Sequence, residues 1–335
     1  MNIKDRKRRS ARRQACLLLL LSIGLAVSGF SFPAQLTAAG SRVAVTKNAA
    51  SGLVMKTSPA PQTLQDFIQI TIDKLAKEDP FKGWKAGQVQ YYPLGPGTHS
   101  WLVNVMNGEQ RIGYLVIAAK DEGGYMLSEY GAGNEGLPYS LSDLRQFLVQ
   151  EGLISSTYSG TPGLTPLYSA LLPVWEITIA GKKLYINAAV PEILPWTSIK
   201  AEAVLKTEAA ASNGISDPEG LSSPQTVYRS GQSSDPYDDL LWLKNPKLPV
   251  LSGDAFLVLL QQKGSLVFQS AGRNDRYGAP FMITGYQVWT SATNTAETGT
   301  QNADKVYAAI GPQGKRFVPL YLLHENGTLH KTSAN

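Results

Sequence analysis

His99 is followed directly by Ser100, an imidazole next to a hydroxyl. Such a base activates a hydroxyl only when the two lie within hydrogen-bond reach. Neighbours on a strand point to opposite faces, so His99 is read as a turn or surface imidazole and not as the base of Ser100. Glu129, in Ser128-Glu129-Tyr130-Gly131, is an acid among aromatics at a strand end, where burial would raise its pKa. Paired with a second carboxylate, such an acid could hydrolyse a glycoside; alternatively it closes the strand end by hydrogen bonding. Asp235-Pro236-Tyr237-Asp238-Asp239 gathers three acids, but without the Asp-x-Asp-x-Asp-Gly spacing that wraps calcium. It reads as a solvated loop. Gly95-Pro96-Gly97 has no Gly-Lys-Ser/Thr, and Pro96 removes a donor, so no phosphate cradle is expected.

Counting closes other routes. The 335 residues hold one cysteine, Cys16, and three histidines, His99, His324 and His330. No internal disulfide, multi-cysteine metal site or His-rich metal site can be built from these. No catalytic residue, cofactor or metal is therefore assigned. At 43% hydrophobic and 17% charged the chain is globular, with length for two ordinary domains.

The formal charge of +5 suggests a nucleic-acid binder, but seven Lys and Arg against Asp5 within the first 15 residues put +6 there and leave the rest at −1. A nearly neutral body has no footprint for a phosphate backbone. The basic cluster instead precedes an apolar run, Ala15 to Phe32, and small residues Thr37-Ala38-Ala39. These are the parts of a secretory signal peptide. Residues 1–39 are expected to be that signal, with cleavage after Ala39, or after Ala38 or Gly40, in export from a Gram-positive bacterium. An uncleaved membrane anchor through 15–32 is the alternative. Cleavage would remove Cys16 and every thiol.

The expected fold class is α+β, in two domains built from antiparallel sheets with few short helices. Residues 40–62 read as a flexible tether. A first domain spans 63–202. Leu64, Phe67, Ile68, Ile72 and Leu75 give a helix, with Thr63 as its cap and Pro80 as its end. A meander of about four strands follows, with Asn107-Gly108 as a hairpin signal. Ser140 to Leu153 is a helix capped by Ser140, and Val174–Ile179 with Lys183–Asn187 is another hairpin. Residues 155–166 read as a loop. Small and polar residues over 203–233 read as a linker. A second small α+β domain, 234–330, combines the helix Asp254–Gln262 with short strands. The tryptophans do not cluster and read as core or hairpin-face residues.

Two stretches resemble known families. Val174-Trp-Glu-Ile-Thr-Ile-Ala-Gly-Lys-Lys-Leu-Tyr-Ile-Asn-Ala-Ala-Val-Pro-Glu-Ile-Leu194 resembles a PepSY-type hairpin, with Asn187 where that pattern has Asp and Pro191 where it has Gly. PepSY modules are secreted or membrane-tethered and often lie in peptidase propeptides, where inhibition or chaperoning is proposed. The preceding meander, with Gly113–Ala119 and Gly124–Tyr130, is similar in style to propeptides of secreted bacterial cysteine peptidases. At the other end, Phe256–Gly264, Phe281–Tyr286 and Val306–Pro319 resemble the C-terminal half of double-glycine-type papain-like peptidases. The catalytic His position there holds Ala279, the acid position holds Gly311 beside Pro312, and no nucleophilic Cys is available.

The resemblances imply a degenerate scaffold: a secreted, non-enzymatic, propeptide-like or pseudo-peptidase module that binds an extracellular protein or peptide. The alternatives are a secreted carboxylate hydrolase acting on cell-wall material and a structural surface protein. No nucleic-acid partner is expected, and no membrane contact beyond the signal segment. Trp101, Tyr130, Glu129 and His99 are the candidate partner-binding residues, because aromatics beside glycine turns on an edge strand would suit an incoming peptide; the alternative, equally open, is that these aromatics pack inward as core.

Overall fold

The structure, a computed structural model, describes residues 52–332 apart from 96–98, 170, 209–213, 230–234, 239, 250–252, 271, 273–277, 279, 291–304 and 312–313. The signal peptide, the start of the tether, Ala279, Pro312 and Asp239 lie outside the described residues.

The meander forms as its alternation requires. β1 (Gln88–Leu94), β2 (Ser100–Asn107), β3 (Gln110–Ala119) and β4 (Tyr125–Ala132) pair antiparallel in sequence order. Asn107 faces Gln110, so the turn is Gly108-Glu109, with Gly108 at positive φ. Glycine first is the pattern of a II′ hairpin, and the expected Asn-Gly turn is displaced by one residue. Both faces of these strands are covered. Leu102, Tyr114 and Val116 pack against Leu144 and Leu148 of α2 (Leu141–Gln150) and against Trp175, Ile177 and Ile186. Val103, Val105, Leu115 and Ile117 pack under Leu64, Ile68 and Ile72 of α1 (Gln62–Leu75).

Trp175, Ile177 and Ile186 belong to a separate three-stranded sheet, β5 (Gly163–Leu167), β6 (Val174–Ile179) and β7 (Lys182–Asn187). Its β6–β7 turn puts Ala180 and Gly181 both at positive φ, as a I′ turn demands. β5 falls inside the expected loop: Gly163 and Pro166 hide a strand that pairs only with β6 among the described residues, and an edge tolerates both residue types.

The caps fall one as expected and one not. Ser140 Oγ accepts the Asp143 N–H of α2 at 3.2 Å. Thr63 does not cap α1: the helix begins at Gln62, and the Pro61 carbonyl accepts the N–H groups of Leu64 and Gln65.

The tether and the linker are corrected. Leu53 and Met55 are buried in the core, and Ser58 N–H donates to the Tyr91 carbonyl at 3.1 Å, partly covering the open side of β1. Between the supposed domains lie α3 (Ser198–Glu208), Ile215, which exchanges backbone hydrogen bonds with Leu127, and β8 (Gln225–Arg229). Ala and Ser carry too little hydrophobic contrast for a 3.6-residue period to stand out in α3, although Ala201 and Val204 are buried.

Two domains are not what forms. β9 (Leu248–Pro249), α4 (Gly253–Lys263), β10 (Leu266–Ser270), β11 (Phe281–Trp289), β12 (Lys305–Ile310), β13 (Arg316–Pro319), α5 (Leu320–Asn326) and β14 (Gly327–Lys331) follow in the chain. The large sheet runs β1-β2-β3-β4-β13-β12-β11-β10-β14-β9, and β8 also pairs with β11. β13 is hydrogen-bonded to β4 across the expected boundary, and Tyr130, Trp289, Tyr307 and Phe317 share one core. Val43–Asn335 accordingly forms one compact unit. The fold class is α+β, with antiparallel sheets and few short helices. Among the described residues no helix is long and apolar enough to cross a membrane.

Gly113 tests the packing of the short helical turn Lys82–Ala86 against the sheet. A Cβ there would overlap the Trp84 ring and lie 2.7 Å from the Gly131 carbonyl. Trp84 is held in place, since its Nε1–H donates to the Ile112 carbonyl at 3.2 Å. Gly113→Ala is expected to cost about 1–3 kcal/mol, the scale of overpacking a filled core, whereas Gly108→Ala meets nothing within 4 Å and strains only its positive φ. Urea denaturation of both variants checks this. Wild-type stability in Gly113→Ala would mean that the Trp84 ring is free to move aside.

Candidate functional site

Glu129 reaches its position through a bulge. Val116 pairs with Glu129 but Ile117 with Leu127, which leaves Ser128 as the extra residue of β4. The bulge changes the alternation. Leu127 and Tyr130 both join the α1 side of the sheet, and Glu129 turns to the opposite side with Tyr114 and Val116. On the neighbouring strand Phe317 pairs with Tyr130 and Arg316 with Gly131. Phe317 takes the α1 side, so Arg316 falls on the side of Glu129.

The two form an ion pair, Arg316 Nη2 to Glu129 Oε2 at 2.8 Å, with side chains 6% and 0% exposed. Tyr114 OH donates to Glu129 Oε1 at 2.9 Å, and Tyr168 OH reaches Oε2 at 3.4 Å. Tyr139 stands nearby, its hydroxyl donating to the Leu167 carbonyl at 2.7 Å. Burial, and then the charge of Glu129, push the hydroxyl pKa of Tyr114, Tyr139 and Tyr168 well above the ordinary tyrosine value. They are neutral donors. Burial works to lower the Arg316 pKa, but the charge and hydrogen bond of Glu129, with Tyr114 and Tyr168, together outweigh it and the net direction is upward. The guanidinium stays charged.

Both oxygens of Glu129 are therefore engaged, and the carboxylate is sealed. It has no open route to a substrate proton, which general acid–base work requires. The expectation that Glu129 meets a partner at the surface is corrected: it is an interior ion pair that ties the first half of the chain to the last.

Arg316 also lines a cavity of about 260 Å³. Its wall is mostly apolar, with Leu171, Phe281, Met282 and Ile310. Asn187 and Gly311, both singled out by the family resemblances, line it as well. Asn187 Oδ1 accepts the N–H groups of Ala189 and Val190 at 2.9 and 3.2 Å, fixing the turn after β7. That leaves its amide N–H groups as the remaining donors. Gly311 has positive φ and donates its N–H to the Met282 carbonyl at 3.1 Å, so it shapes the wall as a turn. Asp235 and Asp238, read as a solvated loop, line the same cavity. Asp235 Oδ1 accepts the Tyr237 N–H at 2.9 Å. Among the described residues no group of three His, Cys, Asp or Glu side chains is placed to hold a metal.

The other candidates scatter. Tyr130 is fully buried, stacked on Phe317 with centroids 5.2 Å apart, its hydroxyl donating to Gln287 Oε1 and accepting from Trp289 Nε1. It is a core residue and presents nothing to a partner. Trp101 is half-buried on β2, which has β1 and β3 on its two sides, so it is not on an edge. His99 is exposed at a φ of 47° just before β2, while Ser100 is buried, so the two differ in exposure. His99 and Trp101 do not line this cavity.

The exposed apolar surface lies elsewhere. Tyr237, Leu240, Leu241 and Leu243 are each between 45% and 55% exposed. Tyr237, Leu240 and Leu243 line a shallow apolar depression with Trp242, and Tyr237 and Pro280 are shared with the cavity of Arg316. Composition alone gave no signal for Arg316. Arg316 begins Arg316-Phe-Val-Pro319, a strand that the structure buries along its whole length, and its sequence does not show that burial. No protein-family model and no curated protein matches this chain, so its fold and its site stand on their own geometry.

Proposed function

We propose that this chain is a secreted binding module without catalysis of its own, propeptide-like in action, which holds an exported protein through the surface around Tyr237–Leu243 and the adjoining cavity. The observation that carries the reading is the contrast between the two kinds of residue. Glu129, the acid with the best surroundings for chemistry, is locked to Arg316, while four large apolar side chains stand half-exposed beside an apolar cavity. Exposed apolar groups gathered next to a cavity mark interaction sites. The resemblance to peptidase propeptides makes an extracellular peptidase the first partner to try.

The secreted chain, added to extracellular peptidases of the same cell, is expected to form a complex on gel filtration and to slow peptide turnover. Leu241→Asp with Leu243→Asp should abolish both effects with an unchanged melting temperature, because both side chains are about half-exposed. Two results would overturn the reading: hydrolysis of cell-wall glycan by the chain itself, or a double variant that binds and inhibits as well as the parent.

A further inference from the structure

We infer that the cavity walled by Arg316, Asn187, Asp235 and Asp238 captures the free N-terminus of a polypeptide with an apolar first residue. This deepens the binding-module reading and rests on it.

The argument starts from charge. Arg316 is neutralised by Glu129 at 2.8 Å, so the guanidinium does not leave the cavity positive. Asp235 and Asp238 then make its described lining negative. A ligand carboxylate is disfavoured there, and an ammonium is favoured. The rest of the wall is apolar, through Leu171, Phe281, Met282 and Ile310, and suits a hydrocarbon side chain.

Polar recognition comes from donors. Arg316 lines the cavity while only 5% exposed, and of its five N–H donors one on Nη2 is committed to Glu129. A buried guanidinium with unused N–H groups calls for an acceptor. Asn187 adds an amide donor group. An ammonium, an apolar body and a carbonyl oxygen within one residue's length describe the first residue of a polypeptide. The volume of about 260 Å³ lies just under the usual range for small-ligand sites, enough for a leucine-sized residue.

The exit is also consistent. Val190 and Tyr237 are 60% and 45% exposed and line the cavity, so the following residues have a way out. Tyr237 is shared with the apolar depression of Leu240 and Leu243. A chain held by its N-terminus would pass over Tyr237 onto that surface.

The test uses calorimetry on the secreted chain with four probes: Leu-Ala-Ala-amide, its N-acetyl form, leucinamide, and N-acetyl-Ala-Ala-Leu with a free carboxylate. Leu-Ala-Ala-amide is expected to bind. Acetylation should weaken it about fivefold, the loss of the ammonium's contact with two exposed carboxylates, and 1 M salt should weaken it too. Asp235→Asn with Asp238→Asn should do the same at an unchanged melting temperature, since the amide introduced by Asp235→Asn keeps an oxygen for the Tyr237 N–H. Leucinamide binding as tightly as the tripeptide would overturn the polypeptide part and leave a site for small apolar amines. Equal binding of the acetylated peptide, preference for the carboxylate probe, or binding of none would overturn the proposal. Peptidase inhibition that survives those results would keep the binding-module reading and sink only this one.

Discussion

Arg316→Met is expected to destabilise the fold by about 3–5 kcal/mol, because it leaves the Glu129 charge buried with its cation removed. Glu129→Gln should cost a similar amount from the other side. Gln still accepts from Tyr114, but the guanidinium is then uncompensated in a site where only 6% of its side chain meets solvent. Replacing both partners is a different matter. Glu129→Leu with Arg316→Met removes two charges together, and such pairs are often neutral or stabilising by about 1–4 kcal/mol. Here the gain is reduced, since the Tyr114 hydroxyl loses its acceptor at about 1–3 kcal/mol. Adding Tyr114→Phe should recover most of that. Urea denaturation of these variants, with Glu129→Leu as the second single that closes the cycle, measures the coupling. If each single replacement costs under about 1 kcal/mol, the pair is behaving like an exposed one and the sealed geometry is wrong. If the double variant costs the sum of the two single replacements, the coupling is absent.

That pair also shows where sequence reading stops. The surroundings of Glu129 were legible: an acid between aromatics on a strand, with burial as the expected consequence. Its partner was not, because Arg316 lies 187 residues further along the chain and no local period joins them. The bulge at Ser128 was invisible for a related reason. An apolar–polar alternation predicts faces only while the register is unbroken, and one extra residue put Tyr130 on the same buried side as Leu127.

Hairpins, Ser140 and the central helices follow from local chemistry and were readable at close to their true bounds. The division into two domains followed from composition over 203–233, yet composition says nothing about which strand lies beside which. β13 closes against β4 through Phe317 on Tyr130, a long-range pairing that joins the two apolar blocks into one core. The Asp235–Asp238 loop shows the same limit at the cavity. Its spacing excluded an ordinary calcium loop, but only the return of the chain to Asn187 and Arg316 makes those carboxylates part of a wall.

Above pH 10 the protein is expected to lose stability steeply, and buried tyrosines are the reason. Burial is the largest cause raising the hydroxyl pKa of Tyr114, Tyr130, Tyr139, Tyr168 and Tyr307 above the ordinary value of 10.0. In the unfolded chain the same hydroxyls ionise near that ordinary value. Between the two pKa values the unfolded state binds fewer protons than the native one, so stability falls as pH rises. Their contribution is fully present below pH 10 and is lost upward from there. Each such tyrosine removes about 1.4 kcal/mol per pH unit in that window. Together the five remove about 7 kcal/mol per pH unit while they stay protonated in the native state, a large part of a typical domain stability of about 5–15 kcal/mol. Tyrosinate absorbance during a rise in pH should therefore show a cooperative step that coincides with loss of far-ultraviolet circular dichroism. Tyr130→Phe isolates one member. It deletes the bonds to Gln287 and Trp289, so it should lower stability at pH 7, yet flatten the alkaline slope by one tyrosine's share. An unchanged slope, or ionisation of all tyrosines near pH 10 with the dichroism intact, would mean that these hydroxyls reach solvent in the folded protein.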